Sequence, residues 1–201
     1  MQTCEAMTAD SDAELVAATL AGRTGRYADL VERHQRRLFL SVRRIAGSDR
    51  DAEEIAQDAF VRAWENLAQY DPAYPFFPWL SRIAVNLWHN RNRRVRREVA
   101  LEDGGPEGAA DGAPADEWRW ADDAPAPEAL ADAAALRRRV WQAVDALPAD
   151  AREIVVMRHA LELSYDEICE ATGLAMGTVK SRLSRARAVL AGTLHDAAGV
   201  R

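Results

Sequence analysis

An all-α chain, two small helical domains joined by a flexible acidic linker, is what this 201-residue sequence predicts. Three observations carry that reading. Apolar residues recur at three-and-four spacing through both halves and nowhere alternate with period two. Two Ser-x-x-Glu capping boxes and several Gly or Pro stops cut the pattern into helix-sized pieces. Charge is segregated: residues 23–100 hold 15 Arg against 10 acids, residues 101–136 one Arg against 10 acids, and residues 137–201 ten bases against eight acids. Two basic blocks around an acidic connector point to contact with polyanions at two places.

The elements follow in order. Ser11-Asp12-Ala13-Glu14 is a capping box that opens a short helix ended by Gly22. Between Gly25 and Gly47, Tyr27, Leu30, Val31, Leu38, Val42 and Ile45 form the apolar stripe of a second helix, with arginines mostly on its other faces. Ser48 caps a third, whose buried stripe is Ala52, Ile55, Ala56, Ala59, Ala63 and Leu67, and which Asp71-Pro72 breaks. After the loop from Asp71 to Phe77, a fourth helix is expected from about Pro78 to about Arg97, with Leu80, Ile83, Ala84 and Leu87 inward. Residues 12–97 make the first domain.

Residues 98–127, from Gly104-Gly105-Pro106 to Pro125-Ala126-Pro127, combine low hydrophobicity with acidic charge, the composition of a flexible linker. The second domain, 128–192, starts with a helix from about Glu128 to Leu147-Pro148 and another carrying Ile154, Val155, Met157 and Leu161. Ser164-Tyr165-Asp166-Glu167 caps a short helix ending at Thr172-Gly173, and a last helix from about Ala175 holds Val179, Leu183, Ala186 and Leu190 on one side.

Composition also excludes. No run approaches the roughly 18 apolar residues of a membrane span, and Met1 to Glu5 lacks the basic and apolar segments of a signal peptide, so the expected location is cytoplasmic and not membrane-inserted. Cys4 and Cys169 stand apart, without CxxC or histidine at ligand spacing, so neither a disulfide framework nor a metal site is expected. His34, His89, His159 and His195 have no evident catalytic companions, and no phosphate-binding glycine loop is present. No catalytic residue, cofactor or small-molecule substrate is expected.

The last two helices have the layout of a helix-turn-helix, whose second helix enters the major groove. Opposite its apolar stripe lie Gly177, Ser181, Ser184 and Ala188, flanked by Lys180 and Arg185: small residues allow approach to base edges, and long cations reach phosphate or guanine. In the fourth helix Arg82, Asn86, His89, Arg93 and Arg97 share a narrow face. The adjoining loop offers Tyr74, Phe76, Phe77 and Trp79 as stacking surfaces, which suits unpaired bases. Trp79 and Phe77 fit equally as core residues closing the loop on the bundle, whereas Tyr74 and Phe76, between prolines, read as more exposed. Glu53, Glu54, Gln57, Asp58 and Glu65 make the third helix acidic within a basic domain, either a solvated face or one for a basic protein partner.

Two stretches carry a resemblance. Asp51-Ala52-Glu53-Glu54-Ile55-Ala56-Gln57-Asp58-Ala59-Phe60-Val61-Arg62-Ala63-Trp64, followed by Phe77-Pro78-Trp79-Leu80-Ser81-Arg82-Ile83-Ala84-Val85-Asn86, resembles the promoter-melting domain of bacterial RNA polymerase sigma factors of the extracytoplasmic-function (ECF) group. Leu147-Pro148, Leu163-Ser164-Tyr165-Asp166-Glu167-Ile168 and the run from Gly177 to Arg187 are similar to that group's second domain. The resemblance implies that Glu54, Gln57 and Asp58 meet the clamp helices of the polymerase's largest subunit, with the flap as a further contact. It implies that the loop with Tyr74, Phe76 and Phe77, together with Arg82, Asn86, His89, Arg93 and Arg97, engages the −10 element. Thr178, Lys180, Ser181, Ser184 and Arg185 fall at the −35 element, and the acidic linker falls in the RNA exit path. An anti-sigma factor is an implied partner.

This sequence departs from the group where Ser184 replaces a common aromatic, at Pro75 and Pro78 in the loop, and at Trp118 and Trp120, which are either incidental or a docking point for the linker. The competing reading is a stand-alone dimeric helix-turn-helix regulator of duplex DNA.

Overall fold

The structure, a computed structural model, describes residues 10–101 and 128–197, with side chains at 10–93 and 134–195. Cys4, the linker with Trp118 and Trp120, and the side chain of Arg97 lie outside the described residues. The described residues contain helices and a 3-10 turn but no strand, and fall into two compact units.

The first unit holds α1 (Asp12–Leu20), α2 (Arg26–Ala46), α3 (Asp49–Glu65) and α4 (Phe76–Leu101) as far as Arg91. The predicted capping box forms: Ser11 Oγ accepts from the Glu14 amide and the Glu14 carboxylate accepts from the Ser11 amide. Ser48 caps α3 through one bond, its Oγ accepting from the Asp51 amide. Gly47 ends α2 with φ of 73°, a left-handed turn that glycine takes without steric cost. α2 packs against α1 and α3. The core is Leu15, Leu30, Leu38, Val42, Ala52, Ile55, Ala59, Ala63, Leu80 and Ala84. Burial stabilises each of the large aliphatic members by roughly 1.5–3 kcal/mol.

Two boundaries differ from the expectation. α3 stops at Glu65, and Leu67 is buried from a 3-10 turn (Leu67–Gln69) instead of from the helix. The Asn66 side chain donates to the Arg62 carbonyl and closes the last turn. α4 begins at Phe76, two residues before Pro78; proline is tolerated there because first-turn amides lack helical acceptors in any case.

The second unit includes α5 (Glu128–Asp145), α6 (Ala149–His159), α7 (Tyr165–Thr172) and α8 (Met176–Ala197), with α8 packed on the other three. Ser164 and Glu167 form the second capping box, and Gly173 turns the chain at φ of 72°. Val144, Leu147, Ile154, Met157, Ile168, Val179, Leu183 and Ala186 are buried together, so the apolar stripe predicted for the last helix faces the core, with Leu190 half-buried at its end. Arg182 pairs with Asp150 at 3.4 Å, tying α8 to α6.

Candidate nucleic-acid and polymerase interfaces

The loop entering α4 is held by an aromatic knot. Tyr70 lies edge-on to Phe76 with ring centroids 5.5 Å apart and tilts against Trp79 at 5.4 Å; Phe76 and Trp79 are 5.5 Å apart. The Tyr70 hydroxyl donates to the Tyr74 carbonyl at 2.6 Å, and the Asp71 carboxylate accepts from the Ala73 amide at 2.9 Å. Burial pushes the Tyr70 phenol above its ordinary range, so it stays a donor at any physiological pH.

This corrects one expectation. Phe76 was expected among the exposed residues between the prolines, but it is fully buried, and Phe77 is buried as well. Starting α4 at Phe76 swings both rings inward, where they close the loop on the bundle. Tyr74, 68% exposed, is the aromatic the loop presents to solvent, and Trp79 is half-buried. An open cleft beside Tyr74 is lined by Asp12, Arg33, Tyr70, Pro72, Pro75 and Phe76.

Along α4, Arg82, Asn86 and Arg93 are exposed on one face, as their spacing predicts, while Leu80, Ala84 and Val85 are buried. His89 departs from that stripe in exposure: it is half-buried, its ring edge-on to Trp88 at 4.6 Å.

On α3, Gln57 and Asp58 are exposed, and Glu54 is partly exposed but engaged. Arg91, reaching across from α4, contacts Glu54 at 2.6 Å and Asp51 at 2.7 Å; Arg50 adds a 3.1 Å contact to Glu54. The Arg91 hydrogen bond, helped by Arg50, holds the Glu54 carboxyl below its ordinary range, so it is an anion whenever a partner could meet it. Val61 is 57% exposed, and at 100° per residue it lies within about 40° of Glu54 and Glu65 and about 60° from Asp58. The sequence reading missed this apolar centre on the acidic face, although the same angular arithmetic locates it.

In the second unit, Lys180, Ser181, Ser184 and Arg185 are exposed on α8 and Thr178 is half-buried. Ser181 Oγ donates to the Thr178 carbonyl at 3.0 Å, and Arg185 lies back along the helix toward the Ser181 carbonyl at 3.4 Å, a weak contact that a DNA ligand can displace. The Lys180 ammonium is 5.9 Å from the Tyr165 ring centroid.

Comparison with known proteins matches this architecture unit by unit. Residues 30–98 match the Sigma-70 region 2 family and residues 137–190 the Sigma-70 region 4 family. The ECF RNA polymerase sigma factor SigW of Bacillus subtilis is 32% identical over 85% of this chain and 89% of its own length. The chain belongs to the ECF group of RNA polymerase sigma factors. The sigma factor CnrH of Cupriavidus metallidurans is likewise 32% identical, over 92% of this chain and 95% of its own. A solved structure of CnrH in complex with the cytosolic domain of CnrY superposes with a TM-score of 0.52 at 28% identity, covering 93% of this chain and 99% of that one.

As an ECF sigma factor, the protein binds core RNA polymerase and directs promoter-specific transcription initiation. Membership in this group does not favour the stand-alone duplex-binding regulator. Among the described residues, no helix is long and apolar enough to cross a membrane, and no cluster of His, Cys, Asp or Glu could hold a metal.

Proposed function

We propose that this ECF sigma factor divides promoter recognition between its two helical domains, 12–97 and 128–192, with residues 98–127 as the acidic connector. The first captures the non-template strand of the −10 element, and the second reads the −35 element as duplex.

The observation that carries the −10 assignment is one exposed aromatic above a buried aromatic knot, next to a helix face with Arg82, Asn86 and Arg93 outward. Extruding a base costs a few kcal/mol, and stacking returns about 1–3 kcal/mol per base. Tyr74 supplies the ring, the Asn86 amide supplies donor and acceptor for a base edge, and the arginines hold the backbone. Phe76 and Phe77 serve this site from beneath by fixing the loop, and His89 contributes from the margin of the stripe. Arg97 belongs to the same −10 set in this reading.

At the −35 element, Ser181 and Ser184 permit close approach, Lys180 and Arg185 reach guanine or phosphate, and Thr178 sits near the backbone at the start of α8. Glu54, Gln57 and Asp58 meet the basic clamp helices of the polymerase's largest subunit, the flap engages the second domain, and the connector follows the RNA exit path. An anti-sigma protein is a further partner in this reading, in line with the capture of CnrH with CnrY. The protein works in the cytoplasm by binding and positioning, with no reaction of its own.

The test is run-off transcription from a promoter library by core polymerase with and without the protein, sequencing dependent transcripts. A shared upstream pair of elements is the expected result. Core binding without transcripts would turn attention to autoinhibition. Absence of core binding, with a two-fold footprint on duplex DNA, would overturn the proposal.

A further inference from the structure

His34, a residue of α2 with no place in the assignments above, sits where three parts of the first unit meet. It is 8% exposed. Its Nε2 lies 2.9 Å from Asp12 Oδ2, at the first residue of α1. Its ring leans on Phe76 at 5.5 Å and Phe77 at 5.7 Å, the two residues with which α4 leaves the loop. Asp12 is gripped on its other oxygen by Arg33 at 2.6 Å, and Arg33 also donates to the Asp10 carbonyl at 2.8 Å. Asp12 and Arg33 in turn line the cleft beside Tyr74.

The two halves of the His34 side chain therefore have separate jobs. Its nitrogen fixes the wall of the cleft through Asp12, and its ring supports the loop exit through Phe76 and Phe77. Tyr70 anchors the loop entry to the same Phe76 and holds the Tyr74 carbonyl. With both ends tied to one knot, the direction in which Tyr74 points depends on what supports that knot from below.

We propose that His34 is a positioning residue for base capture, setting the loop and the cleft wall in register so that Tyr74 meets the unstacked −10 base. The inference rests on the reading of this loop as the −10 site. It predicts that ring and nitrogen are both needed, since either alone leaves one side of the cleft unsupported.

The experiment uses holoenzyme reconstituted with His34→Phe, which keeps the ring, His34→Gln, which keeps a polar group, and Asp12→Asn, which keeps the shape of the partner. The probe is promoter DNA chosen by the transcript sequencing above, with 2-aminopurine in the −10 element. Fluorescence amplitude at saturating holoenzyme reports capture separately from affinity for core or for the −35 duplex, which are measured in parallel. The expected result is core and −35 binding within about twofold of wild type, with capture at least about fivefold weaker in folded His34→Phe and Asp12→Asn, the low end of what one lost stacking contact causes. If His34→Gln fails to fold, the other two carry the test. Unchanged capture in folded His34→Phe and Asp12→Asn, with capture lost in Tyr74→Ala, overturns the role of His34 alone. Unchanged capture in Tyr74→Ala overturns the loop reading and this inference with it.

Discussion

Arg91 of α4 meets the Glu54 carboxylate of α3 at 2.6 Å, so the acidic face proposed for polymerase binding is already partly neutralised from within. A basic partner must compete with Arg91 for Glu54, whereas Asp58 and Gln57 lie exposed on the same face. Charge reversal at Asp58 together with Glu54 is therefore expected to weaken core binding sharply while the fold persists. Arg91→Gln should modestly strengthen core binding and steepen its salt dependence, because it removes a competing cation and leaves the face more negative. Titrating fluorescent core against each variant at two salt concentrations checks both, and normal affinity of the double reversal would remove the interface.

The loop aromatics should separate cleanly by burial. Phe76→Ala empties a fully buried ring position and is expected to cost about 3–5 kcal/mol of stability. Tyr74→Ala should leave thermal unfolding almost unchanged and cost about 1–3 kcal/mol in binding the −10 strand. Calorimetry and strand binding on the same two proteins give the comparison.

In the second domain, Arg185→Ala is expected to cost about 1–3 kcal/mol at the −35 element with little change in core binding. Base-substitution scanning of the element should show which position loses discrimination; promoter use equal to wild type would remove the assignment.

Gly173 turns α7 into α8 at φ of 72°, with nothing within 4 Å of where a Cβ would stand. Gly173→Ala thus isolates the backbone term, an expected loss of about 1–2 kcal/mol, and Gly173→Asn should recover part of it. Chemical unfolding of the three proteins measures the difference.

His34 makes stability depend on pH. Burial, helped by Arg33 and Arg37, pulls its pKa below the ordinary 6.5, with Asp12 opposing. The unfolded state therefore takes up a proton first. The contribution is fully present above about pH 6.5 and is lost as pH falls from there toward the folded-state value. Melting curves between pH 7.5 and 5 should show a decline that His34→Phe flattens.

What the sequence revealed of this architecture is what local rules control. The capping boxes at Ser11 and Ser164, the left-handed glycines at 47 and 173, and the outward face of Arg82, Asn86 and Arg93 follow from spacing alone. Phe76 was misplaced because flanking prolines suggest open loop, while the gain from burying a phenylalanine ring drew it into the core. His34 with Asp12, and Arg91 with Glu54, join residues 22 and 37 positions apart, and no local periodicity encodes a pairing that depends on how helices cross.

The helical geometry of α4 has a further consequence. Arg91 points about 180° from Arg82 on the helical wheel, and fifteen residues of rise, about 22 Å, separate it from Phe76. The helix thus acts as a ruler, with the latch to α3 at one end and the loop that carries Tyr74 at the other. Residues 71–75, outside the aromatic cluster of Tyr70, Phe76 and Trp79, can then vary as a cartridge on an unaltered mount.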